Sequence, residues 1–331
     1  MNMRFAAKVI VASLLSGVGP ASAQISVTTD PVGYVEVNLA ANAYTFIGLP
    51  LYTTVAFKGA VTGVSASTLS FEGSPFDSLS FGSATIGAEQ VPQYFIEVTS
   101  GSDVGAMIPI LSNTANTVAL TEDVSSFIAV SDTITIRPLH TLDSLFPNGA
   151  PLRVGVSVAA ADEVLIFDAS QQATVSYFYS STHSQWRRGT TPNGSRSILP
   201  NQSIYINHKA AATKLVISGT VKLGTTGIDV LTGYNLIPNP FPFAYPLSLS
   251  DLYTGSVTTG LKGGVSVAAA DLVTIYSGSS VPKTYYFHTP SSQWRTGTTP
   301  SDNAMIPVGG ALMIHRKSPS PPFTWVKSQP F

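Results

Sequence analysis

The residues best suited to touching a ligand lie in two matching motifs, Ser184-Gln-Trp-Arg187 and Ser292-Gln-Trp-Arg295. An indole face stacks on a sugar ring, and a neighbouring amide bonds the sugar's hydroxyls. Trp186 with Gln185, and Trp294 with Gln293, are therefore the candidate glycan or partner contacts. The competing reading, and the favoured one, is that each Trp closes a core and the following Arg stacks on it. Asp162 and Asp271 each end one octapeptide, Gly155 to Asp162 repeated letter for letter as Gly264 to Asp271. A glycosidase needs two carboxylates roughly 5 to 10 Å apart on one bond. These two sit in different repeats, so a turn-forming role is expected, with each carboxylate accepting main-chain N–H groups.

The other chemistry-bearing types do not converge. His140, His183, His208, His288 and His315 show no metal-ligand spacing, and His208 aligns with His315 between the repeats. The chain has 0 Cys, which removes thiolate metal sites. There is no Gly-x-Ser-x-Gly turn for a serine nucleophile and no phosphate loop at Gly263-Gly264. Asp103 stands alone in its Gly-Ser-Asp loop and makes no calcium cage. The expectation is a non-enzyme with no catalytic residue, no metal and no cofactor.

Charge narrows the partners. Charged residues make up 11% of the 331, with 17 Lys plus Arg against 18 Asp plus Glu. No basic stripe is present to neutralise phosphates, so nucleic acid is not expected as a partner. Ser, Thr, Asn and Gly carry the polarity instead. A net charge of −1 offers little repulsion between copies.

The elements that must position these residues come in two copies. Beyond the octapeptide and the Trp motif, Gly189-Thr-Thr-Pro192 recurs as Gly297-Thr-Thr-Pro300. The offset is 109 at the start (264 minus 155) and 107 at the end (307 minus 200). Ala43 to Pro50 resembles Gly233 to Pro240 at an offset of 190, so the first copy holds some 82 additional residues (190 minus about 108). Short β-branched and aromatic runs such as Val164-Leu-Ile-Phe167 and Leu272-Val-Thr-Ile-Tyr276 are punctuated by the 27 Gly and 23 Pro. Helical turns are expected only at Leu142 to Phe146 and its counterpart Leu249 to Tyr253. The expected fold is all-β: two tandem β-sandwich or barrel-like modules, residues 24–210 and 211–331, the first interrupted by an inserted β-rich unit at about 61–138.

Residues 1–23 read as a signal peptide. Arg4 and Lys8 precede a compact apolar run, Val9 to Leu15, and Ala21-Ser-Ala23 suits signal peptidase. The apolar run is too short to span a bilayer, and no later stretch reaches the roughly 18 apolar residues required. Export is expected, to the medium, the cell surface or the periplasm.

The Thr29-Asp-Pro-Val-Gly-Tyr-Val35 element, with Tyr44 to Pro50, Asn235 to Pro242 and the Ser-Gln-Trp motif, resembles an uncharacterised family of exported, β-rich bacterial proteins present in several paralogous copies per genome. The insert is similar, at Ile96 to Gly101 and Asn113 to Thr117, to a β-hairpin unit of exported and phage structural proteins. The resemblance implies export and a β-rich fold, and no activity. The leading expectation is a structural or surface-interaction protein, adhesin-like or part of a matrix or assembly, whose partners are itself or other surface proteins. Ile25 to Thr28 and Tyr34-Val-Glu-Val37 are the segments suited to pairing with a sheet edge. The alternative is a carbohydrate-binding module pair with polysaccharide as partner, and a less favoured third is an enzyme of a type its motifs do not reveal.

Overall fold

The computed structural model describes residues 31–277 and 281–328. The signal segment 1–23, Ile25 to Thr28 and the start of the Thr29 to Val35 element, Thr29-Asp30, lie outside the described residues.

Alternation of apolar and polar residues builds the sheets. In β1, Val32–Leu39, the side chains of Val35, Val37 and Leu39 are buried while Val32, Tyr34, Glu36 and Asn38 face outward. Thr213–Val221 alternates in the same way, burying Leu215 and Ile217. A period of two with one apolar face is what a half-buried antiparallel sheet requires.

The first module is an all-β sandwich. Its larger sheet runs Thr191–Pro192, Gln185–Arg188, Ala173–Ser180, Glu163–Asp168, Ile204–His208 and β2, Ala43–Ile47. Its smaller sheet runs β1, Thr213–Val221 and β3, Leu51–Tyr52. Side chains from both sheets meet in one core that includes Leu39, Ile47, Val164, Trp186, Ile206 and Ile217. That core draws Leu215 and Ile217 from beyond residue 210.

The second module repeats the larger sheet strand for strand: Thr299–Pro300, Gln293–Thr296, Lys283–His288, Leu272–Tyr276, Ala311–Arg316 and Gly233–Pro238. Thr226–Val230 paired with Phe323–Lys327 takes the place of the smaller sheet. A second core, centred on Val273, Trp294, Ile314 and Trp325, fills the module.

The inserted unit interrupts the first module after β3. Its seven-stranded sheet begins with Phe57–Ala60, a few residues before Val61, and its last strand is Thr133–Pro138. It has its own core, with Leu69, Ile96, Ile110 and Ile134 fully buried. Phe57, Phe71, Phe76 and Phe81 pack edge to face within it, centroids 4.8–5.4 Å apart.

One expected turn forms and its counterpart does not. The helix α1, Leu142–Leu145, starts from Thr141, whose hydroxyl accepts from Ser144 N while Ser144 Oγ accepts from Thr141 N. In the second module a single 3-10 turn, Leu247–Leu249, replaces the turn expected at Leu249 to Tyr253. Pro246 stands at its cap and offers no side-chain acceptor, so no capping box holds a longer helix.

Polar and aromatic contacts join the parts. Phe46 stacks between Tyr205 (4.8 Å) and Tyr276 (3.8 Å), one ring from each module. Gly48 N donates to Gly309 O at 2.9 Å. A Cβ at Gly48 would lie 2.4 Å from Gly310 O, so only glycine permits this approach. The Gln172 side chain bonds both the N–H and the C=O of Tyr234.

Candidate functional site

Neither tryptophan motif presents a ring to solvent. Trp186 has 0% of its surface exposed and Trp294 has 3%. Trp186 packs on Phe146 (5.6 Å) and edge-on against Tyr179 (5.8 Å), and its Nε1 donates to Phe146 O at 3.4 Å. Trp294 meets Phe287 edge-on at 5.6 Å. Stacking on a sugar requires an open aromatic face, so the glycan-contact reading of Trp186 and Trp294 does not fit this geometry. Gln185 and Gln293 lie beside buried rings, and the Gln293 amide accepts from Arg295 Nε and Nη2, each at 2.8 Å. Arg187 donates to Thr190 O and makes no ring contact among the described residues. Tyr177, Tyr179, Tyr285 and Tyr286 are all buried as well, so these strands leave no exposed aromatic row.

Asp162 and Asp271 are pins. Asp162 accepts from Arg153 N (2.8 Å) and Lys209 N (2.6 Å), and Asp271 from Lys262 N and Lys317 N, both at 2.8 Å. Each also holds one basic side chain: His208 Nδ1 on Asp162 and Arg316 Nη1 on Asp271, both at 2.7 Å. Both carboxylates are fully enclosed, with no path for a substrate. The ladder pairs Glu163 with Asn207 and Leu272 with His315, so the structural equivalent of His208 is Arg316, not His315. The His208 ring lies between Asp162 Oδ2 on one nitrogen and Ala211 O (2.8 Å) on the other, in the place the Arg316 guanidinium takes in the second module.

The remaining histidines are scattered. His183 contacts Ser180, His288 contacts Ser291, and His315 stacks on Tyr234 at 4.2 Å. His140 Nε2 lies 3.1 Å from Leu51 O, and burial holds its imidazole below the usual range. Among the described residues no three His, Asp or Glu side chains are grouped to hold a metal ion.

A buried ionic group escaped the reading of the sequence. Glu97 of the insert lies between Lys222 and Arg137, all three less than 9% exposed. Arg137 also donates to Thr53 O (2.7 Å) and Thr220 Oγ1 (3.1 Å) in the first module. Burial pulls the Lys222 ammonium down from its usual range while Glu97 opposes the shift. Removing one partner of such a group strands a charge, so it locks the insert against the strand that leads into the second module. Nearby, burial pushes the Tyr52 phenol up.

The open feature is β1. Its register pairs Gly33 with Gly219, Val35 with Ile217 and Val37 with Leu215, and Val221 N donates to Pro31 O at 2.8 Å. Bonded pairs alternate along an antiparallel ladder. Odd-numbered residues therefore bond to Thr213–Val221, while Val32, Tyr34, Glu36 and Asn38 turn N–H and C=O the other way. Among the described residues nothing bonds to those outward groups. Val32 is 78% exposed and Tyr34 71%, and the Glu36–Lys214 ion pair (2.8 Å) lies beside them. A groove of about 690 Å³ crosses the outer face of this three-stranded sheet, lined by Tyr34 of β1, Ser218 of the middle strand, Tyr52 of β3, Thr53 and His140.

The other described edges are shorter, and several are covered. Thr191–Pro192 and Thr299–Pro300 are two residues long and end in proline. Gly233–Pro238 is met by Gln172 at Tyr234 and by Ser203 N, which donates to Leu236 O at 3.2 Å. Thr226–Val230, the counterpart of β1, is met by the insert, where Gly227 N donates to Gly105 O at 3.0 Å. At eight residues β1 is the longest edge strand among those described.

A cleft of about 650 Å³ separates the insert from the first module. Arg196 is tied across it by a bidentate pair with Glu89, both contacts 2.6 Å, which holds that carboxyl below its usual range. Compared with known proteins, the chain matches no family, no curated protein and no solved structure. No helix among the described residues is long and apolar enough to cross a membrane.

Proposed function

We propose that this is an exported, non-catalytic structural or surface-interaction protein that works by strand addition. The observation that carries the reading is the unbonded outer edge of β1 among the described residues, where Val32 and Tyr34 are exposed. An unprotected edge is a template for another strand, and proteins that do not use one blunt it with proline, lysine or a covering loop. Val32 to Leu39 holds no proline and no lysine, and among the described residues no loop bonds to its outer edge. Main-chain bonds supply the affinity in such pairing, so it tolerates varied partner sequences. Export is supported by Arg4, Lys8, the apolar run and Ala21-Ser-Ala23. The repeated strand order supports an internal duplication, in which the shared motifs serve the fold.

A fluorescent peptide copying Val32 to Leu39 tests strand addition. It should bind the folded chain, and Glu36→Pro should weaken binding while leaving thermal unfolding nearly unchanged. Proline at 36 removes an outward N–H and the exposed Glu36–Lys214 pair, neither of which the fold depends on, at a place where edge strands accept proline. Equal binding by the native chain and Glu36→Pro would rule the edge out.

A further inference from the structure

We infer that the partner of β1 is β1 of a second copy, paired antiparallel about a two-fold axis through Val35; this rests on the strand-addition reading above. A continuous sheet with both outer faces on one side requires outer residues to meet outer residues. Centring on Val35 places Tyr34 opposite Glu36 of the partner, Val32 opposite Asn38, and Val35 opposite itself. The four residues with outward main-chain groups then fall opposite one another. Each such pair exchanges two bonds, giving about eight across the interface.

The side chains suit this register. The Tyr34 hydroxyl meets the partner's Glu36 carboxylate, an acceptor. The two Glu36 residues lie on a diagonal, where their repulsion is offset because each is already paired with Lys214 at 2.8 Å. On the buried face Val35 meets its own copy and Gly33 meets Val37, so no side chain is doubled up against a large one. The result is a sheet of six strands, two copies of the three-stranded sheet described above. A net charge of −1 per chain adds little repulsion.

A two-fold pairing of this kind closes with two copies. A second bare edge of the same kind would let the chain propagate into a fibre. The counterpart strand Thr226–Val230 is instead met by the insert at Gly227, and Glu122 of the insert lies close enough to Asp229 for their charges to interact. With the axis through Val35, each copy places its β1 edge inside the pair, which closes on itself.

Sedimentation of the mature chain over a wide concentration range, with two cysteine variants, tests this. The native chain has 0 Cys, so introduced thiols are the only ones present. Mixed Tyr34→Cys and Glu36→Cys chains should form the mixed disulfide faster than either variant pairs with itself, since opposed residues lie about 5.5 Å apart at Cα. Glu36→Pro removes two main-chain bonds per dimer, at about a factor of five each, and should weaken dimerisation about 25-fold. Faster self-pairing of either variant would overturn the register. A strictly monomeric chain that still binds the Val32–Leu39 peptide would overturn the second-copy partner and leave strand addition standing. A monomer that binds no peptide would overturn both.

Discussion

Replacing Arg316 by Leu tests the pins most directly. The guanidinium donates to Asp271 Oδ2 (2.7 Å), Gly260 O (2.9 Å), Pro321 O (2.9 and 2.7 Å) and Val257 O, with 0% exposure. Its loss leaves a buried carboxylate with two main-chain donors and three carbonyls short of theirs. Breaking a buried pair from one side costs about 3–5 kcal/mol. Adding Asp271→Asn removes the stranded charge and should restore part of that loss, a coupling of about 0.5–3 kcal/mol. The assay is urea unfolding followed by tryptophan fluorescence in a Trp186→Phe background. Trp294 and Trp325 both belong to the second core, so the signal then reports that module. A loss under about 1 kcal/mol for Arg316→Leu, or no coupling with Asp271→Asn, would refute the pin.

Trp186→Ala should cost about 3–5 kcal/mol in the first module's urea transition, because it empties a fully enclosed site; a cost near zero would return the indole to the list of surface contacts. Phe46→Ala should loosen the joint between modules by about 1–3 kcal/mol, two ring stacks at about 0.5–1.5 each, seen as faster amide exchange around Gly48 and Gly309. Unchanged exchange there would count against the stack. Burial lowers the folded-state pKa of His140, so the unfolded chain binds a proton the folded chain refuses. Stability should fall as pH drops through about 6.5 and level once the folded ring protonates. His140→Gln should remove that component, narrowing the gap between unfolding free energies at about pH 8 and about pH 5; an identical gap in both proteins would refute it.

The strands were legible because each carries its own signal. Val164 to Phe167 and Leu272 to Tyr276 are β-branched runs bounded by turn residues, and local alternation suffices to place them. The insert was legible from arithmetic alone, since an offset of 190 against about 108 leaves no other home for the residues. What escaped depends on neighbours far along the chain. Trp186 is buried by Phe146, forty positions away. The equivalence of His208 and Arg316 was hidden because matching His to His slips the ladder by one residue. The strand ladder and the bonds to Asp162 and Asp271 reveal it. The ionic group at Glu97 joins residues from three separate stretches. The bare edge of β1 is likewise a statement about what does not lie next to it, which no local pattern records, although Tyr34 to Val37 already had the alternation of an edge.

The insert's first and last strands, Phe57–Ala60 and Thr133–Pro138, pair with each other, Phe57 opposite Ile136 and Ala60 opposite Thr133. To the host module the whole unit therefore looks no wider than a hairpin. Closing the host around it costs little more entropy than closing a short loop, because loop cost grows only with the logarithm of length. Such a unit is portable: another β-module with a hairpin tip of the same span could accept it without rearranging its own ladder. The unit would bring with it a core, an anchoring carboxylate at Glu97 and a rim that meets a neighbouring strand.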